Sequence, residues 1–189
     1  MVIYLKRINL HDYNIILHLV RHGEDEQDKI GGWSDNHLTN KGIEEVKALL
    51  PLIDSSYDLF ISSDLVRAKE TSKILNTKLN MDIIYDSNYR ECNNGIYKNK
   101  LKSELNEIGV KRFKEMPMNE KFPGGESPIM FYKRVKKAFL KLLDENRNKK
   151  ILLVSHGGII TIIMCLLEGI EYTNTLRIHP KTGTLTIFK

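Results

Sequence analysis

The chain has 189 residues, of which 41% are hydrophobic and 28% are charged, with a formal net charge of +5. This length and composition are typical of one globular domain spanning residues 1–189 with a sizeable buried core. The lysines are scattered rather than clustered, which argues against a nucleic-acid partner, and no apolar stretch is long enough to cross a bilayer.

Strands and helices alternate along the chain. Short apolar runs predict strands over residues 15–20, 57–61, 83–85, 151–155 and 185–188. Helical apolar spacing predicts helices capped by Thr39 and by Asp64, one over 101–114, one that starts at Ser127-Pro128, and one over 159–167. This alternation predicts an α/β fold, a three-layer α/β/α sandwich with a mostly parallel central sheet and helices on both faces. Residues 92–126, with scattered Gly and Pro, are predicted to form a lid or insertion.

Two histidines stand out because each follows an apolar run and precedes glycine. His22 ends the first predicted strand, and His156 ends the fourth. Ligands of an open α/β sheet bind beyond the carboxyl ends of its strands, so parallel neighbouring strands would bring both imidazoles to one ligand. Arg21 lies beside His22, and Arg67 falls in the first turn after the second strand. Gly157 opens a helix whose N-terminal amides also favour an anion, so the sequence predicts a phosphate site.

The run Leu19-Val20-Arg21-His22-Gly23-Glu24 resembles the signature of the histidine phosphatase superfamily, also called the phosphoglycerate mutase-like family. Further segments resemble this family in the same order along the chain: Asp35 with Leu38-Thr39 and Gly42, residues 62–71, Arg90-Glu91 with Gly95, residues 123–127 with Phe131 and Arg134, and residues 154–158. Five such segments in the order found in the family make the resemblance specific, and it extends over nearly the whole chain after Ile15.

The resemblance implies a two-step phosphoryl transfer that uses no metal and no other cofactor. His22 is implied as the nucleophile that becomes phosphohistidine. Arg21, Arg67 and His156 are implied to hold the phosphate oxygens, where positioning and charge stabilisation supply most of the catalysis. Glu91 is implied to protonate the leaving oxygen and then to deprotonate the attacking water.

The first motif departs from the usual family pattern at two positions. Asp25 stands where threonine is common, and Asp28 stands where asparagine is common. An ionised Asp28 would repel phosphate, so we expect it to point away or to pair with a cation. Candidate contacts to the alcohol half of the substrate are Asp28, Trp33, Ser34 and Tyr97. The acidic residues near 24–28 are interpreted as a solvated loop rather than as a metal site.

Three functions remain open, each with a small phosphomonoester as partner. The leading one is a phosphomonoester hydrolase, because the short segment 92–126 favours transfer to water. The Pro-Gly-Gly-Glu-Ser piece at 123–127 resembles α-ribazole phosphatases, and sugar-phosphate phosphatases share similar pieces. A phosphoglycerate mutase is the alternative, with Lys111 and Arg112 as a basic pair for a carboxylate. A catalytically silent phospholigand-binding protein would be expected to lack the nucleophile or the acid, and both residues are present.

Cysteine usage and the N-terminal residues bear on location. Only Cys92 and Cys165 occur, too few for a disulfide framework, and Lys6 with Arg7 prevents a signal-peptide core. We therefore expect a cytoplasmic protein without a membrane partner. The oligomeric state stays open, with a homodimer as one option. Residues 2–5 suggest an edge strand, and the histidines outside the two motifs, His18 among them, are expected to be structural.

Overall fold

The structure, a computed structural model, describes residues 7–176, 178 and 180–189. The edge strand predicted at residues 2–5, and His179, lie outside the described residues. The described residues form one sheet from β1 (Ile16–Arg21), β2 (Leu59–Ser62), β3 (Ile83–Tyr85), β4 (Lys150–Ser155) and β5 (Thr184–Phe188). The strand order is β3-β2-β4-β1-β5, and every neighbouring pair is parallel except β1 with β5. The predicted mostly parallel sheet is therefore confirmed.

Helices cover both faces of this sheet, as predicted for a three-layer sandwich. They are α1 (Asn40–Lys47), α2 (Val66–Leu79), α4 (Pro128–Glu145) and α5 (Gly157–Glu168), while the short α3 (Lys102–Glu107) lies within the segment 92–126. Alternate residues of a strand point to opposite faces. Leu17 and Leu19 of β1 accordingly belong to the apolar core formed with α4 and α5. Val20 belongs to a second core with Val46 of α1 and Leu75 of α2.

Local sequence signals account for several helix starts and for one buried histidine. Thr39 Oγ1 accepts a hydrogen bond from the Gly42 amide at 3.0 Å and caps α1. Ser127 caps α4, and Pro128 occupies its first turn, where the missing N–H costs nothing. His18 is buried with its Nδ1 2.7 Å from the Tyr57 hydroxyl, in agreement with a structural role.

Three predicted helices begin or end elsewhere. Asp64 does not cap α2, because its carboxylate is held by Arg90 Nε at 2.6 Å and Leu65 stands at the cap position. The helix predicted over 101–114 ends at Glu107, because Gly109 adopts a φ of 67° that breaks the helix. The last helix, predicted over 159–167, starts earlier, at Gly157. That prediction used the spacing of apolar side chains, and Gly157 and Gly158 have no side chain to contribute. Among the described residues, no helix is both long and apolar enough to span a membrane.

Candidate active site

The two strand-end histidines meet at the carboxyl edge of the parallel strands. β1 and β4 pair in register, with Arg21 opposite Ser155, so the residue that follows each strand lies beside the other. The ring centroids of His22 and His156 are 5.1 Å apart, and both side chains are buried. The structure thus brings together the two imidazoles that the sequence predicted to share one ligand.

The hydrogen bonds of His22 define its tautomer. Nδ1 lies 2.7 Å from the Gly23 carbonyl oxygen, which can only accept, so Nδ1 carries the proton. Nε2 accepts a hydrogen bond from Arg67 Nε at 3.3 Å. Burial and the nearby Arg67 cation lower the pKa of His22 well below its usual value. His22 is therefore a neutral imidazole with a lone pair on Nε2.

Arg67 reaches His22 from the first turn of α2 and is itself 2% exposed. Its Nη1 donates to the Ser34 carbonyl at 3.1 Å, and its Nη2 donates to the Gly32 carbonyl at 2.8 Å. Burial lowers the pKa of the Arg67 guanidinium, but an arginine remains charged at any pH where proteins work. The loop over 32–34 therefore fixes a buried cation against Nε2 of His22.

Ser63 orients His156, a contact that the sequence analysis did not identify. Ser63 Oγ accepts the amide of Leu65 at 3.3 Å and lies within hydrogen-bond distance of His156 Nε2, at 2.7 Å. His156 Nδ1 is buried with no hydrogen-bond partner among the described residues. Burial and Arg67 lower the pKa of His156 well below its usual value. Ser63 follows β2 at the same sheet edge, and this position is the signal that could have predicted its role.

Glu91 directs its carboxylate to the start of α5. Its Oε2 accepts the Gly158 amide at 2.9 Å, and its Oε1 accepts the Cys92 amide at 3.0 Å. A Cβ at position 158 would lie 2.3 Å from Glu91 Oε1, so glycine is required for this approach. The carboxylate therefore lies beside Gly157 and Gly158, the residues predicted to help bind phosphate.

Arg134 of α4 holds the backbone around Glu91, a role that the sequence motif did not reveal. Its Nη2 donates to the Glu91 carbonyl at 3.1 Å, and its Nη1 donates to the carbonyls of Asn88 and Arg90. The side chain is anchored by Glu126, whose Oε1 lies 2.7 Å from Arg134 Nε. This network explains why Glu126 and Arg134 occur together in the segment that resembles the family.

A cavity of about 360 Å³ opens beside these groups. Arg21, Glu91, Gly157 and Gly158 line it together with Thr161, whose buried Oγ1 has no hydrogen-bond partner among the described residues. The remaining wall includes cations and aromatic rings from other segments: Arg112, Phe113, Lys114, Phe122 and Tyr172. The cavity therefore joins an anion-binding wall to a wall of mixed charge and apolar surface.

Arg21 links this cavity to the loop before β5. Its Nη1 donates to the Pro180 carbonyl at 2.9 Å. Burial lowers the pKa of its guanidinium, and the negative charges of Glu91 and Asp25 act in the opposite direction. Arg21 thus lines the cavity as a second fixed cation beside Arg67 and His22.

Two of the predicted substrate contacts have other partners. Asp28 is exposed, and its Oδ1 accepts the amide of Lys29 at 3.0 Å, so it points away from the cavity. Ser34 is fully buried, and its Oγ accepts the Asn99 amide at 2.9 Å while its carbonyl holds Arg67. Neither residue lines the cavity.

The two aromatic candidates also contact protein groups rather than the cavity. The Trp33 ring lies 4.6 Å from the Arg90 guanidinium, and its Nε1 donates to the Glu91 carbonyl at 2.7 Å. Tyr97 packs edge-to-face on Phe122 with ring centroids 6.0 Å apart. Trp33 thus supports the backbone of Glu91, and Tyr97 supports a ring that does line the cavity.

The acidic residues after His22 are matched by cations. Glu24 pairs with Lys41 at 2.6 Å, and Glu26 pairs with Lys29 at 3.1 Å. Within the described part of the chain, no group of three or more His, Cys, Asp or Glu is arranged to hold a metal ion. Cys92 and Cys165 are buried and free.

Comparisons with known proteins give one consistent family. Residues 17–189 match the model of the histidine phosphatase superfamily (branch 1). The chain is 31% identical over 161 residues to a Salmonella choleraesuis (strain SC-B67) protein named "Probable phosphoglycerate mutase GpmB", covering 82% of this chain and 75% of that protein.

Two solved structures are similar over most of the chain. The phosphoserine phosphatase of Entamoeba histolytica, solved in complex with 3-phosphoglyceric acid, is 27% identical with a TM-score of 0.73, covering 93% of this chain and 90% of that chain. The α-ribazole phosphatase of Shigella flexneri is 24% identical with a TM-score of 0.78, covering 91% and 89%. This second likeness is one of fold.

Proposed function

We propose, since the chain belongs to the histidine phosphatase superfamily, that its phosphatase chemistry is carried by His22, Arg21, Arg67, His156 and Glu91. The observation that supports this most is the state of His22. The ring is neutral, its Nδ1 proton is committed to the Gly23 carbonyl, and the lone pair of Nε2 lies against a buried arginine. A nucleophile needs an unprotonated ring nitrogen, and a phosphate needs that cation.

In the first step, His22 Nε2 attacks phosphorus in line with the ester oxygen. The P–N bond forms as the P–O ester bond breaks, and protonated Glu91 gives its proton to the departing alcohol oxygen. The Arg21 and Arg67 cations and the imidazole of His156 stabilise the equatorial oxygens. The Gly157 amide at the start of α5 adds the positive end of the helix dipole.

In the second step, the Glu91 carboxylate takes a proton from water, and the water oxygen attacks phosphorus. The P–N bond breaks, its electron pair returns to Nε2, and orthophosphate leaves neutral His22 behind. Each proton that Glu91 gives in the first step is thus recovered in the second, so the enzyme returns to its starting state without any other acid or base.

The substrate is a compact phosphomonoester, and residues 92–126 serve as the lid over its alcohol half. The lid supplies Phe113 and Phe122 as apolar surface and Lys114 as a cation. Thr161 offers an unpaired buried hydroxyl, whose desolvation is compensated when a polar group of the ligand meets it. α-Ribazole 5′-phosphate, sugar phosphates and phosphoserine are phosphomonoesters whose alcohol halves carry polar groups for these contacts.

A phosphoglycerate mutase is the second candidate, because a relative carries that name. Its predicted basic pair is occupied by protein carboxylates: Lys111 pairs with Glu120 at 2.8 Å, and Arg112 pairs with Glu115 at 3.0 Å. A mutase must also keep water from the phosphoenzyme. The cations of both pairs are more than half exposed, so these ion pairs are weak, and the assay decides between hydrolysis and mutase chemistry.

The experiment is a panel assay of phosphate release with α-ribazole 5′-phosphate, sugar phosphates, phosphoserine and 3-phosphoglycerate. We expect hydrolysis of at least one member by the wild-type protein and its loss in E91Q, which keeps the shape of the carboxylate but not its acid–base capacity. Formation of 2-phosphoglycerate from 3-phosphoglycerate and 2,3-bisphosphoglycerate is followed in parallel. Mutase turnover far above phosphate release would contradict the hydrolase.

A further inference from the structure

Asp25 places a carboxylate against the cation that we assign to phosphate binding. Its Oδ2 lies 3.5 Å from Arg67 Nε, the same nitrogen that donates to His22 Nε2. The Asp25 side chain is only 13% exposed and that of Arg67 is 2% exposed, so solvent screens this pair weakly. A negative charge therefore stands beside the nucleophile, where the substrate brings further negative charge.

Neighbouring residues hold this carboxylate in position. Asn36 Nδ2 donates to Asp25 Oδ2 at 3.3 Å, and Gln27 Nε2 donates to Oδ1 at 3.3 Å. The backbone is tied by an antiparallel bridge between Asp25 and Leu38. Asp25 is therefore a fixed part of the site rather than a side chain that happens to reach it.

The hydrogen bonds of Arg67 leave one hydrogen on each Nη. Nη1 donates one hydrogen to the Ser34 carbonyl and Nη2 donates one to the Gly32 carbonyl, both neutral acceptors, while the single Nε hydrogen is donated to His22. Asp25 therefore meets Arg67 as a neighbouring charge, and a phosphate at the remaining Nη hydrogens would share the same cation with it. Like charges at such short range repel strongly where burial lowers the effective dielectric constant.

We infer that Asp25 is a built-in competitor of phosphate, which weakens the binding of orthophosphate and so favours product release. The inference rests on the proposed function, because it assigns Arg67 to the phosphate.

Asp28 provides a matched control within the same loop. It has the same charge and lies three residues away, yet it is exposed and hydrogen-bonded to the next amide. Replacing it with asparagine changes the net charge by the same amount. A difference in orthophosphate binding between D25N and D28N therefore reports where the negative charge was removed and not the change in net charge.

The test measures the binding of inorganic orthophosphate to wild-type, D25N and D28N protein by titration calorimetry, which does not depend on turnover. We expect the dissociation constant to fall by about tenfold or more in D25N and by less than about twofold in D28N. The KM for a phosphomonoester should fall in D25N alone, because the substrate carries the same phosphate. Melting temperatures are recorded for each variant.

Orthophosphate binding that is unchanged or weaker in a D25N protein with the wild-type melting temperature would overturn the inference. If D25N does not fold, D25S removes the same charge and is judged by the same criterion, and failure of both variants to bind orthophosphate more tightly rejects the inference. An inactive wild-type protein would refute the proposed function instead, since calorimetry would still report the effect of Asp25.

Discussion

The carboxylate of Glu91 occupies the space that a side chain at position 158 would need. The Gly158 amide donates to Glu91 Oε2 at 2.9 Å, and a Cβ on residue 158 would lie 2.3 Å from Oε1 and 2.9 Å from the Phe131 ring. Phe131 belongs to the closely packed core and is fully buried, so the carboxylate is the group that must move. The first prediction follows from this contact.

We predict that G158A lowers kcat by about 100-fold, because it displaces the acid that serves the leaving oxygen. The measurement is steady-state kinetics on the best substrate of the panel. The control is the double variant E91A/G158A, which should be no slower than E91A alone if glycine acts only through the carboxylate. Additive losses, or a G158A enzyme with wild-type kcat, would show that Gly158 does not serve Glu91.

A second prediction concerns Arg134, which acts on Glu91 through its backbone. R134A removes the donors to the carbonyls of Asn88, Arg90 and Glu91, and we expect kcat to fall by about tenfold or more with a smaller change in KM. E126Q is the matched control, because it weakens the ion pair but keeps those donors. Equal losses of kcat in the two variants would mean that the ion pair between Arg134 and Glu126, and not the hydrogen bonds from Arg134 to the backbone, supports catalysis.

A third prediction concerns stability and pH. Burial lowers the pKa of His22 and His156, so these residues are neutral when folded and gain protons on unfolding below their unfolded pKa of about 6.5. Because the unfolded state then binds more protons, the free energy of unfolding should fall by about 1 kcal/mol per histidine between pH 6.5 and pH 5.5. Above about pH 7.5 neither residue contributes to the slope.

Chemical denaturation at several pH values measures this slope. H156Q should make it shallower, whereas H11Q, at an exposed position, should leave it as in the wild type. An H156Q protein with the wild-type slope would contradict a neutral buried imidazole at this position.

A fourth prediction concerns chelation. The positive charge that balances the phosphate in our account comes from Arg21 and Arg67, so phosphate release should continue at the wild-type rate after dialysis against EDTA. The assay compares dialysed protein with dialysed protein to which Mg²⁺, Mn²⁺ or Zn²⁺ is returned. Loss of activity on dialysis and its recovery with one of these ions would require a metal that the account does not include.

Much of the sheet and the meeting of the two histidines could be predicted from the sequence, because both depend on local patterns. Apolar runs mark β1 and β4, and the carboxyl ends of adjacent parallel strands share one edge. His22, His156 and Arg67 follow from that rule alone. The helix starts at Thr39 and Ser127 depend on single capping residues and were equally predictable.

The substrate side of the site depends on contacts between distant segments, and the sequence could not predict these. Trp33 is turned toward Glu91 by a hydrogen bond across 58 positions, and the Asn99 amide donates to the Ser34 hydroxyl oxygen across 65 positions. Such contacts decide which side of a loop faces the cavity, and the spacing of apolar residues along the sequence does not predict them. The same limit explains why the role of Arg134 became visible only in the structure.

The central claim is that His22 carries the phosphoryl group, and trapping the phosphoenzyme tests it most directly. The protein is mixed with a phosphomonoester labelled in the phosphate, quenched in alkali after milliseconds, digested and examined by mass spectrometry. We predict an acid-labile, alkali-stable phosphate on His22 that is absent in H22N. A phosphate on another residue, or an H22N enzyme that retains more than about a thousandth of wild-type turnover, would contradict the account.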